Sequence, residues 1–271
     1  MFDFLLGYDP VLLALFATLF TWGMTTVGAS VVFIFKNIKP VYMNGMLGLA
    51  AGIMIAASFW SLLEPAFSIA EEQGFSMPWI PVTAGFLGGT LFIFLIDKIL
   101  PHLHFGAKRE QAEGIKTKWN RSTLLVLAIT LHNIPEGMAI GVAFAAISTT
   151  SDMSLIMPAV VLAIGMGLQN IPEGAAVSLP LRREGMSQKK AFFWGQFSGF
   201  VEVIGGMIGV LTVVAVISIL PYALAFSAGA MIYVVIEELI PQAQADGKTD
   251  IPTIGAILGF TIMMILDNIL G

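Results

Sequence analysis

The chain has 271 residues and no cysteine; 57% of its residues are hydrophobic, 11% are charged, and the formal charge is −5. A soluble domain carries about 25% charged residues, so this composition excludes a water-soluble globular domain and makes lipid the solvent for most of the length. The missing cysteine excludes disulfides and thiolate metal ligands.

A bilayer-spanning helix needs roughly 20 apolar residues. Positions 11–35 meet that without a single charge, and 41–63 and 78–96 follow. Positions 122–151 are broken only by His132 and Glu136, and 155–181 only by Glu173. Positions 191–236 are too long for one span and hold one charge, Glu202; a break near Ser218-Ile219-Leu220-Pro221 divides them in two. Positions 251–270 close the chain. The expectation is an all-α integral membrane protein with eight transmembrane helices in one domain, 1–271, with a polar loop at 101–121. Met1-Phe2-Asp3-Phe4 contains no basic n-region, so the first run is expected to stay as a helix and not to be cleaved as a signal peptide.

With eight spans, all 13 Lys and Arg residues fall in the loops after spans one, three, five and seven. Acids such as Glu71, Glu72 and Asp152 occupy the opposite loops. Basic loops stay cytoplasmic. The reading is therefore a multi-pass protein of the plasma (inner) membrane, with both termini external or periplasmic and 101–121 cytoplasmic.

The chain also repeats itself at long range. Ala51-Gly52-Ile53-Met54-Ile55 returns as Ala228-Gly229-Ala230-Met231-Ile232, and Leu87-Gly88-x-Thr90 as Leu258-Gly259-x-Thr261. Asp97-Lys98-Ile99-Leu100 returns as Asp267-Asn268-Ile269-Leu270, and Phe20-Thr21 with Gly28 as Phe197-Ser198 with Gly205. Spans one to three thus resemble spans six to eight, in opposite orientation. The arrangement reads as 3+2+3 about a pseudo-twofold axis, with spans four and five central. Secondary transporters use such inverted repeats around a midplane site.

The two central spans carry one phrase twice: His132-Asn133-Ile134-Pro135-Glu136-Gly137 and Gln169-Asn170-Ile171-Pro172-Glu173-Gly174. On a helix, His132 and Glu136 share a face, as do Gln169 and Glu173. Each proline removes a donor from the carbonyl four residues back, on Leu131 or Leu168. No Lys or Arg lies deep in a span to neutralise Glu136, Glu173 or Glu202. A buried carboxylate without a partner either takes a proton or takes a cation. The first outcome would leave protonated glutamates bonding between helices. The second gives a cation site, and imidazole, carboxylate and amide oxygen suit Zn²⁺, Fe²⁺, Mn²⁺ or Cd²⁺.

The paired motifs resemble those of the ZIP family of divalent metal transporters, and its bacterial GufA-like branch in particular. The resemblance covers the whole chain and implies zinc transport into the cytoplasm through one or two midplane metal sites. It implies Met54, His132, Glu136, Gln169 and Glu173 as ligands of one ion. It implies Asn133, Glu136, Asn170, Glu173 and Glu202 around a second. Some members carry Asp where this chain has Asn170, which makes the second site the weaker one. The metal is cargo; no cofactor is expected.

Other residues stay open at this point. Glu64, Glu237 and Glu238 lie toward span ends, as solvated groups or exit relays, with Glu238 the best relay. His102 and His104 read by default as part of a solvated loop, and alternatively as transient metal acceptors. The Gly-x-x-x-Gly pairs at 48/52, 137/141, 195/199 and 255/259 permit close helix packing. The segment 108–121 is a polar linker and not a nucleic-acid site. A homodimer is left open. A membrane metalloprotease would need His-Glu-x-x-His, which is absent, so an enzyme is not expected. An exporter, or another cation-coupled carrier, remains the alternative reading.

Overall fold

The structure is a computed structural model and describes residues 7–35, 38–103, 114–119, 121–147, 156–245 and 250–270. Eight long helices form a bundle: α1 (Pro10–Ile34), α2 (Pro40–Glu72), α3 (Trp79–Ile99), α4 (Arg121–Ala146), α5 (Ile156–Arg183), α6 (Gln188–Ala215), α7 (Ile217–Ala243) and α8 (Ile251–Leu270). Seven of them are long and apolar enough to cross a membrane; the eighth, α4, is 26 residues long and carries the first motif.

Local chemistry sets the helix ends. Asp9 caps α1 by accepting from the Val11 amide at 2.7 Å, with Pro10 in the first turn, where its missing N–H costs nothing. Ser187 caps α6 by accepting from the Lys190 amide. Gly74 (φ 78°) and Gly185 (φ 95°) close α2 and α5 in the left-handed region. The following amides, of Phe75 and Met186, reach back to Ala70 and Leu181 and satisfy terminal carbonyls.

Two boundaries differ from the apolar runs. α2 does not stop near 63 but continues to Glu72, because the helix outlasts the hydrocarbon stretch. The break between α6 and α7 falls at Val216 (φ −142°, ψ 81°), just before the predicted 218–221. Neither α2 nor α7 is regular throughout. A π-helical segment interrupts α2 at Ser58–Leu63 and α7 at Val235–Leu239. Each begins four residues after a repeat methionine, Met54 or Met231, and π-turns are frequent at functional sites.

The inverted repeat is visible in the packing. The most extensive pairings are α4 with α6, α2 with α8, α1 with α5, and α3 with α7. Exchanging 1 with 6, 2 with 7, 3 with 8 and 4 with 5 maps this set onto itself. Glycines allow the approach. A side chain at Gly137 would strike the Glu202 carbonyl, and one at Gly174 the Thr25 carbonyl, its repeat counterpart. Gly28 meets Ile171 as Gly205 meets Ile134. The four predicted Gly-x-x-x-Gly pairs all lie against a neighbouring helix. Among the seven spans above, α5 is the most enclosed; α3 and α8 turn Leu87, Leu91, Leu95, Ile254, Leu258 and Ile265 outward to lipid.

Candidate metal site

The two motif helices are held by matching hydrogen bonds. Asn133 on α4 donates from Nδ2 to the Ser198 carbonyl on α6 at 3.0 Å. Asn170 on α5 donates from Nδ2 to the Thr21 carbonyl on α1 at 3.1 Å. Thr21 and Ser198 are repeat counterparts, so each asparagine anchors its helix to the same place in the opposite repeat.

From these anchors a polar network spreads through the centre. The Asn170 amide also donates to Glu202 Oε1 and Oε2, at 2.8 and 2.9 Å. Thr25 Oγ1 donates to Glu202 Oε1 at 3.4 Å. Gln169 Nε2 donates to Asn170 Oδ1 at 2.6 Å and to Glu136 Oε2 at 3.1 Å, which ties α5 to α4. Asn133, Glu136, Gln169, Asn170, Glu173 and Glu202 are all buried. The side chains of Gln169 and Asn170 link Glu136 to Glu202 through a chain of hydrogen bonds. Glu136 and Glu202 take their hydrogen bonds from amides and a hydroxyl, not from each other.

Four oxygens in this cluster are buried without a donor: Asn133 Oδ1, Glu136 Oε1, Gln169 Oε1 and Glu173 Oε2. An unsatisfied buried polar group costs ~1–3 kcal/mol, more if charged. Four together are comparable with the 5–15 kcal/mol net stability of a typical protein, as an order of magnitude. All four are acceptors, so each can take a donor hydrogen or a cation. Among the described residues, no Lys or Arg forms an ion pair with Glu136, Glu173 or Glu202. No three His, Asp or Glu side chains among the described residues gather tightly enough to hold an ion alone. A cation here must draw on the amide oxygens of Asn133 and Gln169 as well as on carboxylates.

The remaining candidates separate. His132 Nε2 lies 3.8 Å from Glu238 Oε1, across to the π-helical segment of α7. Glu238 is buried, whereas Glu64 and Glu237 are exposed. Met54 is fully buried on α2, beside Ile53, which meets α5 at Gly165, one turn before Gln169.

His102 corrects an expectation. It does not sit in a solvated loop but is 1% exposed, with Nδ1 2.9 Å from the Leu100 carbonyl and Nε2 2.9 Å from Asp97 Oδ1. Because the carbonyl can only accept, Nδ1 carries a proton, and Nε2 faces the Asp97 carboxylate. The chain turns back after α3 and buries Leu103 beside it. His104 lies outside the described residues.

Sequence reasoning missed Thr21, Thr25 and Ser198, which hold Asn170, Glu202 and Asn133. The repeat pairs Thr21 with Ser198 and was the available signal. It also missed Asp97, the partner of His102, and the buried bond from Ser61 Oγ to Asp267 Oδ1 at 2.9 Å.

A mixed carboxylate–amide cluster between two helices with internal prolines, Pro135 and Pro172, suits ion transfer, and comparison with known proteins agrees. A family model described as "ZIP Zinc transporter" matches residues 106–267, more than half of the chain. The human zinc transporter ZIP11 is 39% identical, over 98% of this chain and 99% of its own length. The zinc transporter GufA of Myxococcus xanthus is 38% identical, over 95% and 98%. The zinc transporter ZIPB of Bordetella bronchiseptica is 37% identical, over 92% and 79%. Identity at this level along the full length, together with the family match, makes the chain a member of the ZIP family of zinc transporters.

Proposed function

We propose that the chain carries divalent transition-metal ions, zinc first, into the cytoplasm through a site halfway along α4 and α5. The observation that carries this reading is the set of four buried, donorless oxygens on Asn133, Glu136, Gln169 and Glu173. His132 and Met54 complete one ion's ligands after a modest local rearrangement, with His132 exchanging Glu238 for the metal. A second, weaker ion sits among Asn133, Glu136, Asn170, Glu173 and Glu202. Glu238, released by His132, takes the ion or its displaced proton onward. The Asp97–His102 pair, at the end of α3, receives it later, and Glu64 acts on the opposite side.

The ion exchanges its water for protein oxygens, so no backbone group need be exposed to lipid. Pro135 and Pro172 have no amide hydrogen, which leaves carbonyl oxygen free at the same depth. The distribution of basic residues supports external termini in a plasma (inner) membrane, and the relatives' printed names support zinc as cargo.

Cellular metal content tests direction and cargo together. Expression in zinc-limited bacteria should raise cell-associated zinc, measured by mass spectrometry, and external cadmium should compete. A fall in cell zinc would make the protein an exporter and overturn the proposed direction.

A further inference from the structure

The end of the bundle where α4 and α6 begin and α5 ends holds a cavity that stops short of the metal cluster, its lining reaching Thr130, two residues before His132. It has a volume of about 470 Å³ and is lined by Trp119, Val126, Leu127, Leu181, Met186 and Trp194, among others. That size lies within the usual range for small-ligand sites, about 300–1,000 Å³. Leu127 lies nine residues before Glu136 on α4, roughly 13 Å along the helix. Trp119 and Trp194 are both partly exposed, as aromatic side chains at a membrane interface are.

The rim has a different character from the wall. Arg182 follows Leu181 and donates from Nη1 to the carbonyl of Met186 at 3.1 Å, so its guanidinium lies against one lining residue. Its Nε is buried and has no acceptor among the described residues. Lys116, Lys118, Lys189 and Lys190 are exposed on the segments that flank the cavity. Positions 116–121 and 182–190 together hold seven basic residues and one acid, Glu184.

We propose that this cavity holds an acyl chain of an anionic glycerophospholipid, whose phosphate meets Arg182 and the flanking lysines. The wall is mostly apolar, so a water-soluble anion would leave it unused. A zwitterionic lipid would bring its own cation to a rim already crowded with positive charge. A phosphodiester offers charge-assisted hydrogen bonding to Arg182 and the flanking lysines. Basic pockets between membrane helices bind anionic headgroups in this way. The site does not depend on the direction of metal transport.

Native mass spectrometry of the full chain in detergent, with equal phosphatidylglycerol and phosphatidylcholine, tests this. The protein should retain phosphatidylglycerol several-fold over phosphatidylcholine. Arg182→Gln should abolish the preference, and Val126→Phe, which fills the cavity, should reduce retention of both lipids. Equal retention by the unaltered protein would overturn the proposal, as would unchanged phosphatidylglycerol retention in both variants. A dimer that forms with lipid excluded would assign the cavity to a second copy and also overturn it. A second measurement leaves the cavity intact. With Trp22, Trp60 and Trp79 changed to Phe, the fluorescence of Trp119 and Trp194 should be quenched more by phosphatidylglycerol with brominated chains than by brominated phosphatidylcholine. Equal quenching by the two lipids counts against the site.

Discussion

Asn170 donates its side-chain amide to both carboxylate oxygens of Glu202, at 2.8 and 2.9 Å, while the same nitrogen holds the Thr21 carbonyl. Two acceptors on one side fix which end of the amide faces them. An amide hydrogen therefore occupies the position that a second metal ion would need. Glu202 has its charge compensated by hydrogen bonds from Asn170 and Thr25 without any ion. That is a physical reason for the proposed second site to be the weaker one.

Asn170→Asp should reverse this. It replaces a donor with a carboxylate facing Glu202 and the Thr21 carbonyl, and such a group requires a cation. Calorimetry should find a second divalent ion bound more tightly than in the unaltered protein, with the first site changed less. Identical second-site occupancy at all metal concentrations would remove Asn170 from that site.

His132→Ala and Glu136→Ala should each weaken Zn²⁺ or Cd²⁺ binding by at least about tenfold, ~1.4 kcal/mol. Both proteins should still fold, because the asparagine anchors and glycine contacts remain. Titration calorimetry on the purified variants measures the affinities. Unchanged affinity in both would show that the ion binds elsewhere.

Protons should compete with the metal. Imidazole and carboxylate ligate only when deprotonated, so binding releases protons and lower pH opposes it. Affinity should fall steadily as pH drops from about 7 to 5, the range in which histidine and then carboxylates ordinarily begin to titrate. Calorimetry in buffers of different ionisation enthalpy counts the protons released. A flat affinity profile with no proton release contradicts this donor set.

Two glycines should respond oppositely to alanine. A methyl at Gly137 meets the Glu202 backbone and has nowhere to go, so Gly137→Ala should lower stability by about 1–3 kcal/mol. A methyl at Gly23 meets nothing within 4 Å, so Gly23→Ala should be neutral or stabilise by up to ~1 kcal/mol through helix propensity. Thermal unfolding in detergent compares them. Equal shifts would mean that the α4–α6 approach does not depend on Gly137.

The spans were legible because lipid demands uninterrupted apolar length, and the motif carboxylates because they interrupt it. The repeat was legible through a few small residues, and the packing of Gly137 on Glu202 and of Gly174 on Thr25 gives its structural meaning. The anchoring of Asn133 and Asn170 was not legible, since the partners are main-chain carbonyls that any residue supplies. The burial of His102 was hidden for a related reason. Its partner Asp97 ends an apolar run, where a charge ordinarily marks the edge of the membrane. The π-helical segments had one local signal, a proline two residues after each, Pro65 and Pro241, which removes an amide hydrogen from the helix.

Zinc uptake into proteoliposomes, comparing the unaltered chain with Glu136→Gln, tests the central claim most directly. Glutamine keeps the shape and one oxygen but removes the charge, so folding, checked by thermal unfolding, should persist. Uptake by the unaltered chain should saturate with zinc. Uptake by Glu136→Gln should fall at least about tenfold, the lower end of what a disturbed metal site costs. Wild-type uptake by a well-folded Glu136→Gln would contradict a metal path through the buried oxygens of α4 and α5.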